Sequence, residues 1–126
     1  MLLNKETDYA IRIVSFLSKQ NNHITAGEIS KNTGVTPKFT LKILHNLCTN
    51  NIVNSYKGKN GGYYLNKKPE EISLLDIIEL FGSTQFANRC TNEGNCSNPL
   101  GFCEFKKTFD EATNYLNEHF GKVYFK

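Results

Sequence analysis

Apolar side chains recur at Ala10, Ile13, Val14 and Leu17, the three- and four-residue spacing of one helix face, and predict an amphipathic helix from Thr7 to Lys19. Asn21-Asn22-His23 breaks it. A shorter helix starts at Thr25, with Ala26, Ile29 and Ser30 on one face and Glu28 at capping-box spacing from Thr25. Asn32-Thr33-Gly34 stops that helix, Gly34 being free to take positive φ. Thr36-Pro37 restarts the chain as a helix, with a hydroxyl cap and a proline at the first helical position. This helix is expected to run to Thr49, with Leu41, Leu44, Leu47 and Cys48 facing inward.

Two helices joined by a tight glycine-containing turn form the helix-turn-helix pattern, although a plain helical hairpin in a bundle shares it. Ile52-Val53-Asn54-Ser55-Tyr56 then reads as a strand, Lys57-Gly58-Lys59-Asn60-Gly61-Gly62 as a turn, and Tyr63-Tyr64-Leu65 as the returning strand. Such a hairpin directly after a recognition helix is a wing. Its glycines are expected to let the backbone approach DNA and its lysines to meet phosphates; a solvated turn is the plainer reading.

Beyond Pro69, the residues Ile72, Leu75, Ile78 and Phe81 predict a short helix capped by Ser73. Residues 83–103 are rich in Asn, Gly, Ser and Thr and hold three of the four cysteines. A last helix from Glu104 to Phe120 places Phe105, Phe109, Ala112, Leu116 and Phe120 on one stripe, which calls for a partner surface. In a chain of 126 residues a second copy is the economical partner. The expected fold is mainly α with a small β-hairpin wing. A winged helix-turn-helix domain (1–82) is followed by a cysteine-bearing loop (83–103) and a long C-terminal dimerisation helix and tail (104–126).

Charge sharpens this division. Residues 1–69 hold ten Lys/Arg against three Asp/Glu, a net of +7, whereas residues 70–126 hold five against nine, a net of −4. The first part suits a polyanion and the second does not. Hydrophobic residues at 39% and charged residues at 21% are ordinary for a globular chain. No run approaches the roughly 20 apolar residues of a membrane span. The first residues, Met1 to Asp8, turn acidic and amphipathic and do not resemble a signal peptide. A cytoplasmic protein without membrane contact is expected, and there thiols stay reduced.

On the outward face of the recognition helix, Lys38 and Thr40 lie near its N-terminus and are the candidate base readers, with Thr36 and Lys42 on phosphates. Ser55, Lys57, Lys59 and Asn60 are the wing candidates, for the backbone or minor groove. No enzymatic role is expected.

Cys48 fits the apolar face of the recognition helix as a core thiol. Cys90, Cys96 and Cys103 differ: they share one polar loop at spacers of five and six residues. Three thiolates from one loop can hold a soft metal or an iron–sulfur cluster. Zinc more often takes close Cys-x-x-Cys pairs, and wider spacers suit a cluster. One coordination position is left over, with Asp8, Glu104, the three histidines or a small molecule as candidates.

Together, Thr7-Asp8-Tyr9-Ala10, Ile29-Ser30-Lys31, Leu41-Lys42-Ile43-Leu44, Ile52-Val53-Asn54-Ser55, and Gly58 with Gly61-Gly62-Tyr63 resemble the winged-helix regulators of the IscR/NsrR (Rrf2) family. The three-cysteine loop extends the resemblance over nearly the whole chain. It implies a homodimer joined through the C-terminal helix, reading a double-stranded operator with one recognition helix and wing per half-site. It also implies an iron–sulfur cluster on Cys90, Cys96 and Cys103 that responds to nitric oxide, redox or iron status. IscR-type members carry a histidine three residues after the third cysteine, where this chain has Lys106. NsrR-type members use an aspartate of the first helix from the partner subunit, a position matched by Asp8. The resemblance therefore implies a four-iron cluster in preference to a two-iron one, with Asp8 as fourth ligand, in a regulator expected to repress.

Three rival readings stand beside this one. A thiol-relay enzyme would use the same cysteines, but no Cys-x-x-Cys or strand–helix alternation supports it. A winged-helix regulator without a cluster would use them for zinc or a disulfide switch. A winged-helix module that binds only protein is opposed by the basic first part.

Overall fold

The computed structural model describes residues 3–82 and 105–126 and bears out the expected class. Five α-helices and one two-stranded antiparallel hairpin stand among the described residues, with a short 3-10 turn between them. The loop expected at 83–103, with Cys90, Cys96 and Cys103, and Glu104 after it, lies outside the described residues.

Helix α1 (Lys5–Ser18) starts two residues before the predicted point because Asn4 caps it: the Asn4 Oδ1 accepts from the Thr7 backbone N–H at 2.7 Å and from the Thr7 hydroxyl at 2.8 Å. The expected face is the buried one, formed by Thr7, Ala10, Ile13, Val14 and Leu17. Helix α2 (Ala26–Thr33) begins at Thr25, whose hydroxyl accepts from the Glu28 N–H at 3.2 Å, and ends at Gly34 with φ of 74°. That left-handed conformation costs glycine little and lets the chain turn into the next helix.

Helix α3 (Pro37–Thr49) has the predicted cap and the predicted N-terminal proline. Its inward face is rotated by one residue from the expected one. Thr40, Ile43, Leu44 and Leu47 are buried, whereas Leu41 is 52% exposed and Cys48 only half-buried. Positions 40, 43, 44 and 47 form the three- and four-residue stripe, and Leu41 stands about 100° round the helix from Thr40. Burial still pushes the Cys48 thiol pKa up.

Strands β1 (Val53–Tyr56) and β2 (Gly62–Leu65) pair antiparallel, Val53 opposite Leu65 and Tyr56 opposite Gly62. Ile24 lies along the free edge of β2: its N–H donates to the Tyr63 carbonyl at 2.9 Å and its carbonyl accepts from the Tyr63 N–H at 2.7 Å. A 3-10 turn (Pro69–Glu71) leads to helix α4 (Leu74–Phe81), where Ser73 and Asp76 form a complete capping box at 2.9 and 3.1 Å. Helix α5 (Lys106–Phe120) begins two residues after the predicted start.

The core lies where α1 packs against α2, α3 and α4, with Ile13, Ile29, Ile43, Leu44, Leu47, Ile72 and Ile77 wholly buried. Each such side chain contributes about 1.5–3 kcal/mol by leaving water. The C-terminal tail folds back onto the start of α4, Leu74 donating to the Val123 carbonyl at 2.7 Å and Phe125 to the Ile72 carbonyl at 3.2 Å.

Candidate nucleic-acid interface

The N-terminal turn of α3 is fixed at both edges. Thr36 accepts from the Phe39 N–H at 3.4 Å, and Pro37 presets the backbone. Lys38, Lys42 and His45 project from the exposed side of this helix, and Thr36 is exposed at its start. Thr40 does not join them. Its side chain is wholly buried and its hydroxyl donates to the Val35 carbonyl at 3.4 Å, so the expectation of a base reader at Thr40 is corrected. A short polar side chain with no exposure cannot reach a groove. Its hydroxyl instead satisfies the turn between α2 and α3.

Lys42 pairs with Glu6 of α1 at 2.7 Å. Around it lies a cluster with no counterpart among the expectations. The rings of Tyr9 and Phe39 meet edge to face at 5.4 Å, joining α1 to α3. Lys5 sits over both rings, Lys42 over Phe39 and Arg12 over Tyr9, all between 5.6 and 6.0 Å from the ring centres. A cation so placed is attracted to the negative face of the ring. The signal for it was Lys5, Tyr9 and Arg12 at four- and three-residue spacing on one helix face.

At the wing, Ser55, Lys57, Lys59 and Asn60 are all exposed. Two of the wing glycines are required by the protein's own packing. A Cβ on Gly61 would collide with the Tyr56 carbonyl oxygen, and one on Gly62 would lie 2.8 Å from the Ile24 carbonyl group. Gly61 also closes the turn, donating to the Gly58 carbonyl at 3.0 Å. Gly61 and Gly62 thus let the wing approach its own domain. An open groove of about 440 Å³ runs between this hairpin and the start of α2, lined by Thr25, Tyr56, Lys57 and Lys59 among others.

The remaining candidates concern metal and dimer. Asp8, on the first turn of α1, is half-exposed and pairs with Arg12 at 3.0 Å. Gly82, just past the end of α4, packs so tightly on Thr7 that an added Cβ would stand 2.8 Å from its hydroxyl. Gly82, the last described residue before the cysteine-bearing segment, therefore lies beside the turn that carries Asp8. Among the described residues, no three Cys, His, Asp or Glu side chains gather closely enough to hold a metal ion. On α5, Phe109, Ala112, Leu116 and Phe120 are half-buried, while Tyr115 and, just before the helix, Phe105 are exposed. Among the described residues, no helix is long and apolar enough to cross a membrane.

Comparison with known proteins agrees with this geometry. Residues 3–126 match the Rrf2 family, described as iron-dependent transcriptional regulator. The HTH-type transcriptional regulator NsrR of Bacillus licheniformis is 29% identical over 80 residues, spanning 62% of this chain and 56% of that protein. Several of the curated relatives are longer, the matched region covering less than two thirds of their length. Among solved structures, T. potens IscR superposes with a TM-score of 0.79 at 16% identity, over 99% of this chain and 83% of that one. The global cysteine regulator CymR of B. subtilis gives 0.78 at 16% identity, over 99% and 93%. At such identities the likeness is one of fold, and the fold is the winged helix.

Proposed function

Because the chain belongs to the Rrf2 family of transcriptional regulators, we propose that it binds a double-stranded DNA operator as a homodimer in the cytoplasm, its grip on DNA switched by an iron–sulfur cluster. The observation that carries the DNA reading is the exposure of cations on both α3 and the wing, Lys38 and Lys42 on the helix and Lys57 and Lys59 on the hairpin. In this reading Lys38 reaches a base edge from the first turn of α3, while Thr36 and Lys42 meet phosphates. Lys42 exchanges its Glu6 partner for a phosphate at little cost, because an exposed ion pair is worth only about 0–1 kcal/mol. Ser55, Lys57, Lys59 and Asn60 hold the adjacent backbone or minor groove.

The donors of the cluster site fit the group in chemistry. Three thiolates, Cys90, Cys96 and Cys103, suit iron, and the half-exposed Asp8 carboxylate supplies a hard fourth ligand of the kind NsrR-type members use. When bound, a four-iron cluster supplies a redox-active group that reacts with nitric oxide or oxygen. Asp8 of one subunit and Cys90, Cys96 and Cys103 of the other would hold the group, and so would tie the two reading heads to each other, as half-sites one helical turn apart require. Releasing these ligands loosens that tie and lifts repression.

A second reading draws on Arg12. Asp8 already has a partner within its own helix, so the cysteines can instead serve zinc or a thiol–disulfide switch, with Asp8 left structural. Two measurements decide. An ultraviolet–visible spectrum of protein purified without oxygen, with iron and sulfide quantified, is expected to show broad visible absorbance that is bleached by nitric oxide and absent from Cys96→Ala. A colourless protein that still binds DNA sinks the cluster and keeps the regulator. Titration into labelled duplex DNA over a salt series tests the DNA reading, which salt-independent binding or none overturns.

A further inference from the structure

The wing of this protein is held by a side chain outside the helix-turn-helix. His23, in the connection between α1 and α2, lies flat on the Tyr56 ring, with centroids 4.9 Å apart and planes 13° from parallel. Its Nε2 hydrogen-bonds the backbone carbonyl of Asn60 in the turn of the wing, and because a carbonyl only accepts, Nε2 carries the proton. The next residue, Ile24, is hydrogen-bonded in both directions to Tyr63 on β2. One dipeptide thus grips the hairpin twice: Ile24 at the strand and His23 at the end of β1 and the turn.

We propose that His23 is a positioning residue for DNA binding, setting the pose of the turn so that Lys57 and Lys59 meet the DNA backbone together. This role rests on the DNA reading given above. A hairpin of two four-residue strands has few bonds of its own, and isolated two-stranded hairpins are marginal in water. Lys57 and Lys59 flank Gly58, whose φ of 128° lies outside the range of ordinary side chains, so the turn is a place where alternative backbone poses are cheap. Tyr56 and Asn60, the two residues His23 touches, stand immediately outside the segment that carries both lysines. Fixing these ends fixes the lysines between them, and the ordering cost is met before DNA arrives.

The test uses the full chain and a fluorescein-labelled mixed-sequence DNA duplex, titrated by anisotropy over a salt series. Five variants are compared: His23→Ala, His23→Gln, which retains a donor, His23→Phe, which retains the ring, Lys57→Ala with Lys59→Ala, and that lysine-free pair combined with His23→Ala. His23→Ala is expected to weaken binding about tenfold, the scale of coupling between groups in contact. It is also expected to lower the slope of log affinity against log salt by up to about 2, since the slope falls by about 0.9 for every phosphate that a lysine no longer neutralises. His23→Gln and His23→Phe each recover part of the slope. On the lysine-free background His23→Ala has no further effect, which a merely structural loss would not reproduce. Wild-type binding whose slope His23→Ala leaves unchanged overturns the role of His23 alone, as does an equal loss on the lysine-free background. A wild-type chain that fails to bind the duplex at low salt overturns the DNA reading and this role with it.

Discussion

Gly62 and Ile24 lie so close that a Cβ on Gly62 would stand 2.8 Å from both the carbonyl carbon and the carbonyl oxygen of Ile24. Both atoms belong to backbone, held by paired hydrogen bonds to Tyr63, and neither can swing aside. Gly62→Ala is therefore expected to destabilise the fold by about 1–3 kcal/mol, the range for forcing atoms into a packed site. Thermal unfolding followed by circular dichroism checks it, and an unchanged midpoint would show that the hairpin does not dock on Ile24 as described.

The wing lysines give a second expectation. Lys57→Ala and Lys59→Ala should each weaken binding to any duplex sequence alike and reduce the salt slope by about 0.9, leaving base preference untouched. Both residues are exposed, so thermal stability should stay within about 0.5 kcal/mol. A change in sequence preference would move these lysines from backbone contacts to base reading.

Lys38 and Thr40 separate in a third experiment. With an operator selected from a random pool, Lys38→Ala is expected to cost about 1–3 kcal/mol and to relax preference at one position. Thr40→Val keeps the shape but loses the hydroxyl bonded to Val35, and so costs about 1 kcal/mol of stability without changing operator affinity. If Thr40→Val altered operator preference at unchanged stability, the assignment of its buried hydroxyl would be wrong.

Asp8 allows a clean test of the proposed ligand. Its pairing with Arg12 is exposed and spaced one helical turn, worth about 0.3–0.5 kcal/mol. Asp8→Asn should thus leave the cluster-free fold almost as stable as before, while iron, sulfide and visible absorbance fall. Retention of all three at wild-type levels excludes Asp8 as a ligand.

Much of this molecule was legible because its helix ends are local events. Thr25, Thr36 and Ser73 cap the helices they were expected to cap, and Gly34 takes the left-handed turn its position suggested. Helix phase was harder. On α3 the leucines point the expected inward face toward Leu41, whereas the buried stripe runs through Thr40, a polar residue whose hydroxyl finds a partner in the Val35 carbonyl. Contacts between distant segments carried no local pattern at all. His23 looked like part of a helix breaker, the Tyr9–Phe39 pair joins helices 30 positions apart in the chain, and the return of Tyr124 to Ser73 spans some two fifths of its length. That Gly61 and Gly62 pack against the Tyr56 and Ile24 backbone is likewise a contact between segments that the hairpin pattern alone does not carry.

Asn4 has a consequence for how the molecule breathes. The same side chain that receives the Thr7 N–H and hydroxyl at the start of α1 gives its own amide to the Phe81 carbonyl at 2.6 Å, on the last residue of α4. Helix ends ordinarily fray one at a time, each at its own small free energy. Here the start of one helix and the finish of another share a single amide, so neither can open without unfastening the other. The turn that bears Asp8 and the last turn of α4 are thereby tied through one side chain, and their hydrogen-exchange protection is expected to rise and fall together.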